Sequence, residues 1–271
     1  AAHSSAFKSF LRSQLEVDRA ECLEDNAERL TVRGKPDMRE LCRGVAQDLD
    51  LRFGIEVGAL KRRYEGWWLV ADGAIELGPF DIVLSTMPAP QLRVLLERSS
   101  LSAPDPLKAV SMIPCWTLLV GFAAPPPPWR PVDERVVGFE SMPIRSEASL
   151  PHCHVLHASA DWTQEHLELT REAAALQFTK MFAGDPQAED WFKAAAVVKV
   201  HRWRYAFAKH PFGAAFSYNT ETGFGFSGDW CTGATAEAAY LNGLALAEQV
   251  SMTVVAANVG GDEVLSHGCH S

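Results

Sequence analysis

Apolar residues recur at helical spacing from the start of the chain. In AFKSFLRSQLEV (6–17), Phe7, Phe10, Leu11 and Leu15 share one face, which predicts a short amphipathic helix. Pro36 followed by MRELCRGVAQDL predicts another. Asp37 and Glu40 lie in its first turn, where carboxylates complement the helix dipole. The period then changes. Residues 49–88 hold short alternating runs split by glycines and Asp-Gly, which predicts strands and hairpins. Phe80–Thr86 is mostly apolar and predicts a strand buried on both faces, ended by Pro88, Ala89 and Pro90.

QLRVLLERS then predicts a helix, and SMIPCWTLLVGF, ERVVGFESM and HCHVLHAS predict strands. Pro125–Pro128 cannot pair in a sheet and forms a loop. Residues 163–182 predict one long helix, AVVKVHRW a strand, GFGFSGDW another, ATAEAAYLNGLALAEQV a strong helix and TVVAANV a final strand. This order fits an α/β nucleotide-type domain whose chain leaves to build a second sheet domain and returns.

Composition narrows the function classes. The chain has 271 residues, 47% hydrophobic and 22% charged, with a formal net charge of −9. That composition is ordinary for a globular protein, and the charge disfavours nucleic acid and anionic membrane surfaces as partners. No apolar run reaches the roughly 18 residues of a membrane span. The six cysteines are scattered without C-x-x-C spacing, which suggests reduced thiols and a cytoplasmic location. The first residues, AAHSS, show no initiator Met and no signal-peptide layout, which suggests a processed product or a fragment.

Gly223-Phe-Gly225-Phe-Ser-Gly228 is a literal G-x-G-x-x-G, yet a dinucleotide loop needs its glycines between a strand and the helix it opens. Here they fall before or within a strand. A nicotinamide-binding unit over 223–262 would instead require Asp262 at a strand end as the ribose carboxylate. The turn SGDWCTGAT is more informative. A strand ends at Gly228-Asp229 and a helix starts soon after, so free N–H groups face whatever binds there. Asp229 either accepts hydrogen bonds from a polyol or simply caps the helix.

PHCHVLH places His152 and His154 on one strand face and Cys153 with His157 on the other. No carboxylate or second Cys completes a metal-ligand set at recognised spacing, so these read as ordinary strand histidines. His267, Cys269 and His270 read as part of a tail. No G-x-S-x-G elbow supports a serine hydrolase. VHRWRYAFAKHPFG (200–213) concentrates aromatic and basic side chains, suiting either an aromatic ligand's pocket or a core strand.

Taken in order, VRGKPDMRELCRGVAQDLDLRFGIEVGAL, GWWLVADGAIELGPFDIVLSTMPAPQ, IPCWTLLVGF, HVLHASADWTQEHLE, HRWRYAFAKHPFG and GFGFSGDWCTGATAEAAYLNGLALAE resemble the renalase-like NAD/FAD-dependent oxidoreductases of the flavin amine oxidase group. The resemblance covers about residues 32–250. It implies an α/β fold: an FAD/NAD(P)-binding Rossmann-like domain, N-terminally truncated, with an inserted β-sheet substrate domain. The partial FAD domain would be 1–88 and 201–250, the substrate domain 89–200, and 251–271 a C-terminal tail. It further implies FAD as cofactor, contacted by Val57 at adenine, Pro88 beside the adenosine, Gly228, Asp229 and Trp230 near the ribityl and flavin, and Glu237, Ala238 and Ala239 at the ring. His201 and Trp203 would line the substrate pocket. The implied reaction passes hydride from a small dihydronicotinamide or amine to flavin, with oxygen as final acceptor.

Three departures from the family pattern stand out. Its leading strand, G-x-G-x-x-G turn and helix are not in this sequence. Its G-G-R-V-E-G-A reads Gly233-Ala-Thr-Ala-Glu-Ala-Ala239, and its Asn-Ser-x-Lys-Pro stretch reads Glu140-Ser-Met-Pro-Ile-Arg-Ser146. A methyl blocks a backbone that must approach a ring. The contrary expectation is a non-catalytic remnant that binds no FAD. No catalytic side chain and no metal site are assigned.

Overall fold

The computed structural model describes residues 1–71, 74–142 and 150–265, with side chains described through residue 255. The chain divides into two units, Ala1–Ser111 with His210–Ser271, and Met112–Lys209.

The first unit opens with α1 (Ser5–Glu16), whose Ser4 hydroxyl accepts the Phe7 N–H at 3.3 Å. Phe7 and Leu11 pack with Ala2 and Leu30 in a small core. Leu30 belongs to an antiparallel hairpin of β1 (Ala20–Asp25) and β2 (Leu30–Gly34). Next come α2 (Arg39–Ala46) and an antiparallel sheet of β3 (Val57–Arg63), β4 (Gly66–Ala71) and β5 (Ile75–Phe80). Then β6 (Val83–Ser85) leads into α3 (Ala89–Arg98) and α4 (Asp105–Ala109).

The second unit is a sheet backed by helices. It contains β7 (Ser111–Phe122), β8 (Val136–Met142), β9 (His152–Ala158), α5 (Ala160–Glu165), α6 (Arg171–Lys180), α7 (Pro186–Lys193) and β10 (Val197–His210). The strand order is β10-β7-β9-β8. Alternate residues of β7, namely Trp116, Leu118, Val120 and Phe122, share a core with Trp162, Phe178 and Trp191 from the helices.

The chain returns to the first unit through β11 (Phe216–Asn219) and β12 (Phe224–Ser227), passes a tight turn at Asp229–Cys231, and ends in α8 (Ala236–Leu265). β12 sits between β11, antiparallel, and β6, parallel.

Three sequence expectations are corrected. Residues 163–182 are not one helix: α5 stops at Glu165, and α6 restarts where the Thr170 hydroxyl accepts the Ala173 N–H at 3.2 Å. Phe80–Thr86 is not one strand buried on both faces. Asp81 interrupts it, and Leu84 in β6 is 42% exposed. TVVAANV is not a strand. It continues α8, because a valine run costs a growing helix only tenths of a kcal/mol per residue when no breaker intervenes. Asp262 therefore lies in helical backbone and not at a strand end, which removes the nicotinamide-binding unit over 223–262. Pro143–Ser146, His267, Cys269 and His270 lie outside the described residues.

Candidate functional site

The first unit brings two chain reversals together. β6 and β12 run parallel with Phe226 opposite Ser85, so their carboxyl ends lie side by side. In open α/β sheets that edge is where ligands bind. The three glycines of the G-x-G-x-x-G precede or lie within this pairing. Gly223, at φ +69°, makes the turn into β12, where a Cβ would sit 2.4 Å from the Asp81 carbonyl oxygen. Gly225 lies inside the strand, and Gly228 follows it. The pattern is therefore a strand entry and exit and not a phosphate loop.

Trp230 ties the two exits together. Its indole N–H donates to the Met87 carbonyl at 3.2 Å, just before Pro88 at the start of α3. The ring stacks on Phe226 with centroids 5.8 Å apart and is fully buried. Gly228 passes so close that a Cβ there would lie 2.5 Å from the indole nitrogen. The Asn242 amide donates to the Gly228 carbonyl and to the Thr232 hydroxyl, each at 2.9 Å. Asp229 accepts the Trp230 N–H at 2.8 Å through one oxygen. Its other oxygen accepts no hydrogen bond among the described residues. Burial, with the nearby Asp229 charge adding to it, pushes the Cys231 thiol up to about 11, so it is not a nucleophile at neutral pH.

The start of α8 is partly engaged. Ala238 N–H is capped by the Thr235 hydroxyl at 3.0 Å, and Ala239 N–H by the Thr235 carbonyl at 3.0 Å. The Glu237 carboxylate reaches across to α1 and accepts the Ser4 N–H at 2.6 Å and the His3 N–H at 3.1 Å. Burial opposes its charge, but the bonds from Ser4 and His3 outweigh it and hold the carboxyl below the usual Glu range. A depressed folded pKa adds stability above the unfolded value of about 4.3, and that stability is lost as pH falls through the folded value. Glu237→Gln is therefore expected to be less stable than the native chain at pH 7, with the gap closing in acid. Urea unfolding of both proteins from pH 7 down to 3 checks this.

Val57 opens β3 and borders a cavity of about 340 Å³ with Ile55, Leu69, Leu77 and Phe80. His201 and Trp203 are in the second unit, on β10, two residues apart with ring centroids 4.3 Å apart. Trp203 is 52% exposed.

Sequence reasoning missed two residues of the strand-end cluster. Ser85 is buried and its hydroxyl has no hydrogen-bond partner among the described residues. Its signal was a lone hydroxyl ending an apolar strand. Asn242 is buried at 3% exposure, and its signal was an amide within the apolar run Ala238–Ala247 of the helix. Among the described residues, no three His, Cys, Asp or Glu side chains gather as a metal site, and no helix is long and apolar enough to cross a membrane.

No family model matches the chain. Among solved structures, a putrescine oxidase variant from a structure-based redesign of cofactor binding aligns with a TM-score of 0.57 and 16% identity, over 85% of this chain and 55% of that one. Wild-type putrescine oxidase bound to putrescine aligns with a TM-score of 0.56 and 16% identity, over 82% and 54%. Cyclohexylamine oxidase from Brevibacterium oxydans gives 0.49 and 12%, over 75% and 48%. The chain spans about half the length of the structures it matches. Over most of its own length it has the mixed α/β fold of putrescine oxidase.

Proposed function

We propose that this chain is part of an FAD-dependent oxidoreductase of the amine oxidase type, close to the renalase-like branch. The observation that carries this reading is the parallel pair β6–β12, whose carboxyl ends present Ser85, Gly228 and Asp229 and feed α8. The fold shared with putrescine oxidase supports it, and the complex of that protein with putrescine favours a small amine over a dihydronicotinamide as substrate.

The residues present fit the flavin end of FAD. Among the described residues, the buried Ser85 hydroxyl has no partner and one Asp229 oxygen accepts no hydrogen bond. Two N–H groups at the start of α8, those of Ala236 and Glu237, have no acceptor among the described residues. Bound FAD would supply the hydride acceptor, with oxygen as terminal oxidant. The protein's own part is to bind and polarise. Asp229 would accept hydrogen bonds from hydroxyls of the polyol, and the α8 N-terminus would stabilise negative charge. Pro88, Gly228 and Trp230 would shape the wall, Ala238 and Ala239 would face the ring, and Val57 with its adjoining cavity would take the adenine end. His201 and Trp203, in the second unit, are assigned to the substrate.

A specific observation favours the second reading, a remnant without FAD. The Glu237 carboxylate is committed to the segment that enters α1, and Ala234 and Ala238 carry methyls where the family pattern has glycine.

Incubation with FAD, desalting and a visible spectrum separate the two. The flavin reading expects a retained flavin band, with FAD affinity about tenfold lower in Asp229→Ala, the cost of a hydrogen bond to a charged group. Absence of any band, together with no tryptophan quenching on FAD titration, selects the remnant.

A further inference from the structure

A second cavity of about 340 Å³ lies wholly within the second unit. The proline loop Pro126–Pro128 forms one side, and the rings of Trp129, Phe139 and Trp191 line another. Ser141, His152 and His154 supply the polar edge. Among the described residues, no Asp, Glu, Lys or Arg borders it. This size and lining, apolar with a few convergent polar atoms, are those of a small-molecule site.

The polar edge is held rigidly. The His154 ring lies parallel to Phe139, with centroids 5.3 Å apart and 14° between planes. Trp191 meets it edge-on at 5.4 Å and Phe122 at 5.7 Å. The Ser141 hydroxyl is 3.1 Å from Nδ1 and helps to orient the ring. Nε2 makes no hydrogen bond among the described residues. Burial, with the neighbouring His152, lowers the His154 pKa, so the ring is neutral at neutral pH.

The lining also selects the ligand. A carboxylate, phosphate or ammonium would lose hydration without meeting an opposite charge among the described residues. A cation over a ring face is also disfavoured, because the tryptophans are already crowded by other rings. Trp129 packs against Phe182 at 5.0 Å and Trp191 at 4.9 Å, and Trp191 packs against Phe122 at 4.8 Å. What remains is a ring edge, an imidazole nitrogen and a proline wall, which suit a flat uncharged ring.

We propose that this cleft binds a neutral, planar heteroaromatic molecule, held by ring contact with Phe139 and the tryptophan wall and by a hydrogen bond to His154 Nε2. The site is separate from the flavin reading and does not depend on it.

The test uses the full chain with ring-labelled histidine, followed by NMR at neutral pH. Benzimidazole is the neutral probe, benzoate the anion and N-methylquinolinium the cation. Benzimidazole is expected to shift the His154 resonance saturably. His154→Phe keeps the stack but loses the hydrogen bond, and its affinity, read from the benzimidazole signals, is expected to fall about tenfold. Ser141→Ala, at an exposed position, is expected to weaken binding a few-fold through loss of the contact that orients the His154 ring, and it stands in if His154→Phe loses its near-UV circular dichroism. No saturable benzimidazole binding, equal affinity in the variants that fold, or tighter binding of either charged probe would overturn the proposal.

Discussion

Trp230→Ala is expected to destabilise the first unit by about 3–5 kcal/mol, the range for removing a buried aromatic side chain. The ring is buried against Phe226 and Phe212, and Gly228 lies against its indole edge. Truncation leaves a cavity that Gly228, having no side chain, cannot fill. It also strands the Met87 carbonyl, the accepting end of the link between the β6 and β12 exits. Trp230→Phe keeps most of the packing and loses only that bond, so about 1–2 kcal/mol is expected. Denaturant unfolding of both variants measures the difference. A loss below about 1 kcal/mol for the alanine variant would mean that Trp230 is not what fastens the two strand ends.

The elements legible in the sequence are those whose own pattern suffices. α1 shows its stripe of Phe7 and Leu11, and β7 shows a long apolar run. The strand exit at Gly228-Asp229 was legible because glycine and aspartate break β12 just before a helix-forming segment. The β1–β2 hairpin was not. Its strands read AECLED and LTVRG, Arg33 pairs with Glu21 across the strands and Arg29 in the turn pairs with Glu24, so charge hides the alternation. TVVAANV misled because β-branched residues signal strands, while continuity with α8 decides the outcome. Glu237 shows a different limit. Its bonds to His3 and Ser4 join residues more than 230 positions apart, and nothing local to Glu237 announces them. The unpartnered Ser85 hydroxyl is likewise a property of packing, invisible until β6 lies beside β12.

In the second unit, Trp116→Ala is expected to cost about 3–5 kcal/mol, towards the upper end. Trp116 is 1% exposed at the centre of the core shared by β7 and the helices. Its indole N–H donates to the His166 carbonyl at 3.0 Å, its backbone N–H donates to the Thr163 hydroxyl at 3.1 Å, and the Arg202 guanidinium lies 5.5 Å over its ring. Alanine keeps the backbone bond but removes the ring and the indole donor, leaving the His166 carbonyl with the Leu169 N–H alone and a cation without its aromatic face. Leu119 provides the control on the same strand. Three residues on, it points to the other face and is 40% exposed, so Leu119→Ala is expected to stay within about 1 kcal/mol. Denaturant unfolding of the pair, with hydrogen exchange on the β7 and β9 amides, tests the assignment of faces. The two strands pair from Thr117↔His157 to Phe122↔His152, so loss of Trp116 should speed exchange in both together. Equal costs for Trp116→Ala and Leu119→Ala would mean that the helices do not cover the face from which Trp116, Leu118, Val120 and Phe122 project. The proposed cleft would then lose its wall as well, because Trp191 is held by Phe122 from that same row.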